Sequence, residues 1–352
     1  MRWLAAPLLA LFAFIHPVAA DTLVDNVNGY TLDSRGVLQR FNGLLIADDG
    51  KLKQLLQRKD KRPYARYKTD AKGRMLIPGL IAANVRLMAL GNAATDTGRT
   101  KPDNPVVREA SLAKALEILA SAGITMAHDA GTSLDDWLLY RRFGDEGRLT
   151  ARIYAMAAGS ETAERLVPLR PSPWLYQDRL IMRSVMVGGE GALDSRDARL
   201  KNRISRALMA GLQPVLRVTG DGDGRQALDI YEELAATYGT GRRMRIDQQA
   251  AVASADPQRA ASLGVITSVV PGGDAQALAR LMKAGAAQGL RVFTTDAATA
   301  AFAEDRVGTL EPGKWADFIL IDRDIFAGDP AVPAQAQVLE TWLAGRRVWV
   351  RK

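Results

Sequence analysis

The chain contains no cysteine. That excludes disulfides, thiolate nucleophiles and Cys-based zinc sites. Of its 352 residues only two are histidine, His16 and His128. So few imidazoles argue against a metal centre or a Ser-His-Asp hydrolase built on several histidines. No Gly-x-x-x-x-Gly-Lys phosphate cradle is present. Aromatic residues make up 6% of the chain and rarely interleave with the basic ones. That pattern does not mark a nucleic-acid surface.

What is present reads as a globular protein. Hydrophobic residues are 47% and charged residues 24% of the chain, enough for a real core in one large domain or two ordinary ones. Arg2 followed by the apolar run Leu4 to Ile15 reads as a secretory signal, ending in the small residues Val18-Ala19-Ala20. The run is too short to span a bilayer. The expectation is cleavage near Asp21 and a periplasmic or extracellular protein without a membrane span. An uncleaved tether is the alternative. The formal charge of +8 favours acidic partners or an anionic surface. The densest basic run, Arg196 to Arg206, fits a solvated helix face.

Short apolar runs with turn signals occupy residues 21–76, with a basic, polar stretch from Lys51 to Lys72 expected as an exposed hairpin or loop. From residue 77 strands and helices alternate. Expected strands are Gly79–Leu87, Ile124–Asp129, Ala151–Ala157, Leu180–Val187, Gln213–Thr219, Met244–Gln248, Val265–Val270 and Leu290–Thr295. Helices are expected over Ser111–Ala122, Leu134–Glu146, Arg199–Ala210, Gly224–Tyr238 and Ala275–Ala287. Eight such units predict an α/β fold, a (β/α)8 TIM-like barrel over 77–306, closed or imperfectly closed. An open doubly wound sheet fits the same pattern. Residues 307–352 return to strand and turn. With 21–76 they are expected to form a composite small β-sandwich domain.

Several residues invite chemistry. His128 beside Asp129 suggests a general base, but neighbours on a strand point to opposite faces, so a structural pair is expected. Asp221-Gly222-Asp223-Gly224 hints at a calcium loop yet lacks the distal glutamate, so a helix-capping turn is the reading. Ser195 has no histidine at useful spacing.

The segment Pro78-Gly79-Leu80-Ile81-Ala82-Ala83-Asn84-Val85-Arg86-Leu87 resembles the first-strand motif of the amidohydrolase superfamily, Pro-Gly-Phe-Ile-Asp-Ala-His-Val-His-Leu. Gly308-Thr309-Leu310-Glu311-Pro312-Gly313-Lys314-Trp315-Ala316-Asp317 resembles its C-terminal signature. Gly123 to Gly131 and Gly191 to Arg196 point to the branch called amidohydrolase family 3. The resemblance covers nearly all of residues 21–352 and implies a metal-dependent hydrolase with one or two zinc ions. The positions that hold those ions in the family are occupied here by Asn84, Arg86, Met186, Arg217 and Gln248. Arginine stays protonated and has no lone pair to give. Asp296 alone is a candidate for the family's eighth-strand aspartate. Relatives also carry a longer segment between Ala89 and Ala110.

No metal cofactor is therefore expected, and the anticipated role is an exported pseudoenzyme binding a ligand or a protein partner. Asn84, Arg86, Arg217, Asp247 and Gln248 are the ligand-binding candidates. Arg86 and Arg217 put fixed positive charge where cations stood, pairing either with a small carboxylate or phosphate or internally with Asp247, Glu190 or Asp296. The competing expectation is an unorthodox, metal-independent hydrolase of C–N bonds, with Asp296, Asp247 or Asp129 as base and the arginines on an oxyanion.

Overall fold

Five strands open the fold: β1 (Thr22–Leu32), β2 (Leu38–Ile46), β3 (Leu52–Leu56), β4 (Tyr67–Asp70) and β5 (Met75–Pro78). This is seen in a computed structural model that describes residues 21–33, 35–94, 104–159, 162, 170–188, 193–219, 222–249, 256–270, 286–326 and 336–352. The expected signal lies outside the described residues. Seven further strands follow: β6 (Leu80–Val85), β7 (Ile124–Thr132), β8 (Arg152–Ala157), β9 (Leu180–Met186), β10 (Gln213–Val218), β11 (Arg245–Gln249) and β12 (Ile266–Val270). The chain ends in β13 (Phe318–Ile321), β14 (Val338–Leu343) and β15 (Arg346–Val350).

The first five and last three strands share one sheet, ordered β15-β14-β13-β5-β1-β2-β3, with β4 beside β1. The two ends of the chain meet where β5 pairs antiparallel with β13, Pro78 opposite Phe318. The sheet curls. Leu52 donates its N–H to the Lys314 carbonyl and accepts from Gly313. Leu52 and Trp342, from opposite halves, thereby bury into one cluster with Phe41, Leu44 and Phe318. Each fully buried Leu of this kind contributes roughly 1.5–3 kcal/mol. The turn before β3 needs Gly50: its φ is +89°, and a Cβ there would strike the Ala344 carbonyl.

Strands β6 to β12 form a parallel sheet in chain order, and β6 approaches β12 to make a nearly closed barrel. Their side chains sort by strand alternation. Ile81, Met126, Tyr154, Met156, Ile181 and Val215 fill the interior. Ala82, Ile124, Ala127, Ile153 and Met182 pack outward with Leu116, Leu119 and Tyr140 of the surrounding helices. Helix Pro105–Ser121 starts on an Asn104 cap, and Leu134–Asp145 on a Ser133/Asp136 capping box.

One expected strand is not a strand. Leu290–Thr295 lies in a continuous helical segment: Ala286–Arg291, a π turn Val292–Asp296, then Ala297–Ala300. The Val-Phe-Thr-Thr run reads as strand by local preference, but its burial follows a helical period. Leu290, Thr294, Ala297, Ala298 and Ala301 are buried. Thr294 and Thr299 return their hydroxyls to carbonyls four residues back, the usual way a helix absorbs β-branched threonines. The barrel therefore shows seven strands among the described residues. The expected helix Ala275–Ala287 falls almost wholly outside them.

Barrel and sheet are joined by charge. Arg152, at the start of β8 and 1% exposed, grips Asp317 through Nε at 2.7 Å and Nη2 at 2.9 Å. Asp317 Oδ1 also accepts from the Ala344 N–H, while Arg152 stacks on Trp315 at 4.9 Å.

Candidate functional site

The C-terminal end of a parallel barrel is where loops and strand ends assemble a site. Asn84 at the end of β6, Arg217 near the end of β10, and Asp247 and Gln248 on β11 all belong to that end. Parallel register sets Arg217 beside Asp247, so both project to the same side of the sheet.

Asp247 is fully buried and both of its oxygens are engaged. Oδ1 accepts from Arg245 Nε at 2.6 Å, and Oδ2 from Asn84 Nδ2 at 2.5 Å. Arg245, also fully buried, is the hub of the barrel interior. Its Nη1 lies 3.1 Å from His128 Nδ1 on β7. Its Nη2 donates to the Ala83 carbonyl on β6 and to Ser268 Oγ on β12. No ladder joins β6 to β12 among the described residues, so this guanidinium stitches the seam of the barrel from within. Arg245 is not among the candidate residues that the sequence singles out. The signal for its role is its i, i+2 spacing to Asp247 inside an otherwise apolar strand.

Because a guanidinium only donates, His128 Nδ1 accepts and the proton of the neutral ring sits on Nε2. That nitrogen is buried and has no hydrogen-bond partner among the described residues. Burial, and then the adjacent Arg245 charge, hold His128 well below its ordinary pKa. The neighbouring Asp129 faces the other way, as expected. It accepts from the Leu87 N–H, Thr132 Oγ1 and Tyr140 Oη. Burial raises its carboxyl despite those donors. Burial also raises Tyr140 well above its usual value, with Asp129 adding to the shift.

The remaining candidates separate. Arg217 is half-buried, Arg86 is exposed just past the end of β6, and Met186 is half-buried at the end of β9. Gln248 is buried at 3% exposure, and alternation turns it away from Asp247, on the side where Ile246 packs with Leu216 and Tyr231. Arg86 and Arg217 are thus not the partners of Asp247; Arg245 and Asn84 are. Asp296 sits in the π turn, exposed and paired with Arg291 at 3.1 Å, so it is not on a barrel strand. Glu190 and Asp221 lie outside the described residues. Asp223 opens the helix Asp223–Tyr238 and, instead of capping it, accepts from the Leu193 and Thr219 N–H groups outside it. Among the described residues no group of three or more His, Asp or Glu could hold a metal ion.

The fold has many likenesses among solved structures. A metal-dependent hydrolase of uncharacterised function from Pyrococcus horikoshii OT3 superposes with a TM-score of 0.65 at 14% identity, covering 88% of this chain and 99% of that one. Guanine deaminase of E. coli gives 0.64 at 13% identity, covering 94% and 100%. Molinate hydrolase gives 0.60 at 14%, covering 94% and 95%. At these identities the likeness is one of fold. No curated protein matches the chain. The sequence profile of the amidohydrolase family, however, matches residues 82–289 and 286–349. By that match across most of its length, the chain belongs to the amidohydrolase family.

Proposed function

We propose that this is an exported amidohydrolase-fold protein that has given up metal-dependent hydrolysis and binds a small carboxylate or phosphate at the barrel mouth. The observation that carries the reading is the closed state of Asp247. A zinc site takes three or four N, S or O donors. Asp247 has both oxygens committed to Arg245 and Asn84, and His128 has its accepting nitrogen turned to Arg245. Freeing either for a metal would leave a buried guanidinium without its partners, at a cost of several kcal/mol. The other positions offer amide, thioether or guanidinium groups. This donor set does not suit zinc.

Arg217 supplies the anion preference. It is the half-buried cation on the Asp247 side of the strand ends, and no carboxylate partner is found for it among the described residues. A guanidinium in that setting takes a carboxylate or phosphate bidentately. Arg86, exposed just past the end of β6, adds charge at longer range. The metal-independent hydrolase reading finds less support: Asp296 is exposed and paired, Asp129 faces the helices, and Asp247 is saturated.

The test is metal content together with calorimetry. Protein purified without chelator or histidine tag, then equilibrated with zinc, is expected to carry no stoichiometric metal. It is expected to give binding heat with phosphate or succinate that Arg217→Ala removes. One or two zinc ions per chain would overturn the reading. Export is tested separately, by locating the processed chain in cell fractions.

A further inference from the structure

The loop between β3 and β4 has no role in the barrel. With the first two residues of β4 it reads Gln57-Arg58-Lys59-Asp60-Lys61-Arg62-Pro63-Tyr64-Ala65-Arg66-Tyr67-Lys68, six cations and two tyrosines against a single carboxylate. Two inward anchors fix its shape. Ala65 is buried in a small cluster with Leu23, Leu45 and Leu56. Arg62 pairs with Asp25 at 2.9 Å and donates Nη1 to the Gln57 and Asp60 carbonyls. With those two pinned, the residues around them are thrown outward. Arg58, Lys59, Lys61, Arg66 and Lys68 are exposed, and none has an ion-pair partner among the described residues. Tyr64 is 80% exposed and Tyr67 53% exposed, with the Arg66 guanidinium over the Tyr67 ring.

We propose that this loop is a docking surface for an anionic phospholipid membrane. Unpaired Lys and Arg on a small surface are attracted to anionic lipid headgroups, each contributing about a five-fold gain in partitioning. Exposed tyrosines beside such cations place an apolar ring at headgroup depth and keep the hydroxyl wet. Tyr67 donates its N–H to the Asp21 carbonyl, and Lys53 pairs with the Asp21 side chain at 2.8 Å. The chain thus enters the fold beside this loop, six residues after Ile15, the last residue of the apolar run. Where the apolar run is retained as a tether, a surface that touches lipid here would lie next to it. The inference does not depend on what the barrel mouth binds.

Vesicle sedimentation of the full chain tests it. Vesicles are phosphatidylcholine alone, or phosphatidylcholine with about 30% phosphatidylglycerol, at about 0.1 M salt. Binding selective for the anionic vesicles is expected. The triple variant Lys59→Gln/Lys61→Gln/Arg66→Gln should lose about 100-fold of it. Tyr64→Ser should weaken it further without changing the salt dependence. A control triple, Arg196→Gln/Arg199→Gln/Arg225→Gln, removes the same net charge elsewhere and should leave selectivity largely intact. All of these residues are surface-accessible, and circular dichroism confirms folding. Equal binding to both vesicle types overturns the proposal, because an apolar segment alone would produce that. So does equal loss in the two triples, which would reduce the effect to net charge. Tight binding to a duplex DNA oligonucleotide with none to vesicles would assign the loop to nucleic acid instead.

Discussion

Arg245 and Asp247 stand two residues apart on one barrel strand and form a 2.6 Å ion pair in which neither side chain is exposed. Strand alternation puts them on one face, and the curvature of the barrel aims the guanidinium at the seam between its first and last strands. Both charges are satisfied within the barrel interior, by each other and by Asn84, His128, Ala83 and Ser268.

Removing one partner should be costly. Asp247→Ala leaves the Arg245 charge buried and unpaired, and is expected to lower unfolding free energy by about 3–5 kcal/mol. Arg245→Met combined with Asp247→Leu should recover much of that, since a well-packed apolar pair removes both desolvated charges. Urea denaturation of the single and double variants gives the cycle. A double-variant loss equal to the sum of the two single losses would mean the pair carries no coupling.

His128 should make the protein acid-sensitive. Its folded pKa lies well below the ordinary 6.5, through burial first and Arg245 second. As pH falls past about 6.5 the unfolded chain takes up a proton that the folded barrel refuses. The unfolded state then binds more protons, so stability declines with falling pH, by at most about 1.4 kcal/mol per pH unit. The raised Asp129 has the opposite sign: its contribution falls as pH rises above about 3.8 through its folded value. His128→Asn should flatten the stability slope between about pH 5 and 6.5. An unchanged slope would show that His128 takes up its proton alike in the folded and unfolded states.

The Arg152–Asp317 contact should hold the barrel to the two-ended sheet. Asp317→Ala strips a bidentate partner from a side chain 1% exposed and also orphans the Ala344 N–H. A loss of about 3–5 kcal/mol is expected by chemical denaturation. A loss below about 1 kcal/mol would place the pair with ordinary surface bridges.

Asp296 should prove dispensable. Its bridge to Arg291 has both side chains about half exposed, at 45% and 57%, and such pairs contribute little. Asp296→Asn is expected to stay within about 0.5 kcal/mol of the parent and to leave anion binding unchanged. If that substitution abolished a hydrolytic activity, the metal-independent hydrolase would be revived.

Much of this protein is legible in its residues taken one after another. Strand and helix alternate from Leu80 to Val270 because apolar period and turn chemistry are local. The family follows from Pro78-Gly79 and from Gly308 to Asp317, which are contiguous. The amide and guanidinium side chains of Asn84, Arg86 and Arg217 are equally plain. Partners are another matter. Asp247 could have paired with Arg86, Arg217 or Arg245 on sequence grounds, and its pairing with Arg245 depends on barrel closure bringing Ala83, His128 and Ser268 around one guanidinium. Likewise Leu290–Thr295 has the composition of a strand, yet it folds as helix because its buried positions recur at helical spacing against the barrel. Contacts between residues more than a hundred positions apart depend on how the layers close, and local preference carries no record of that.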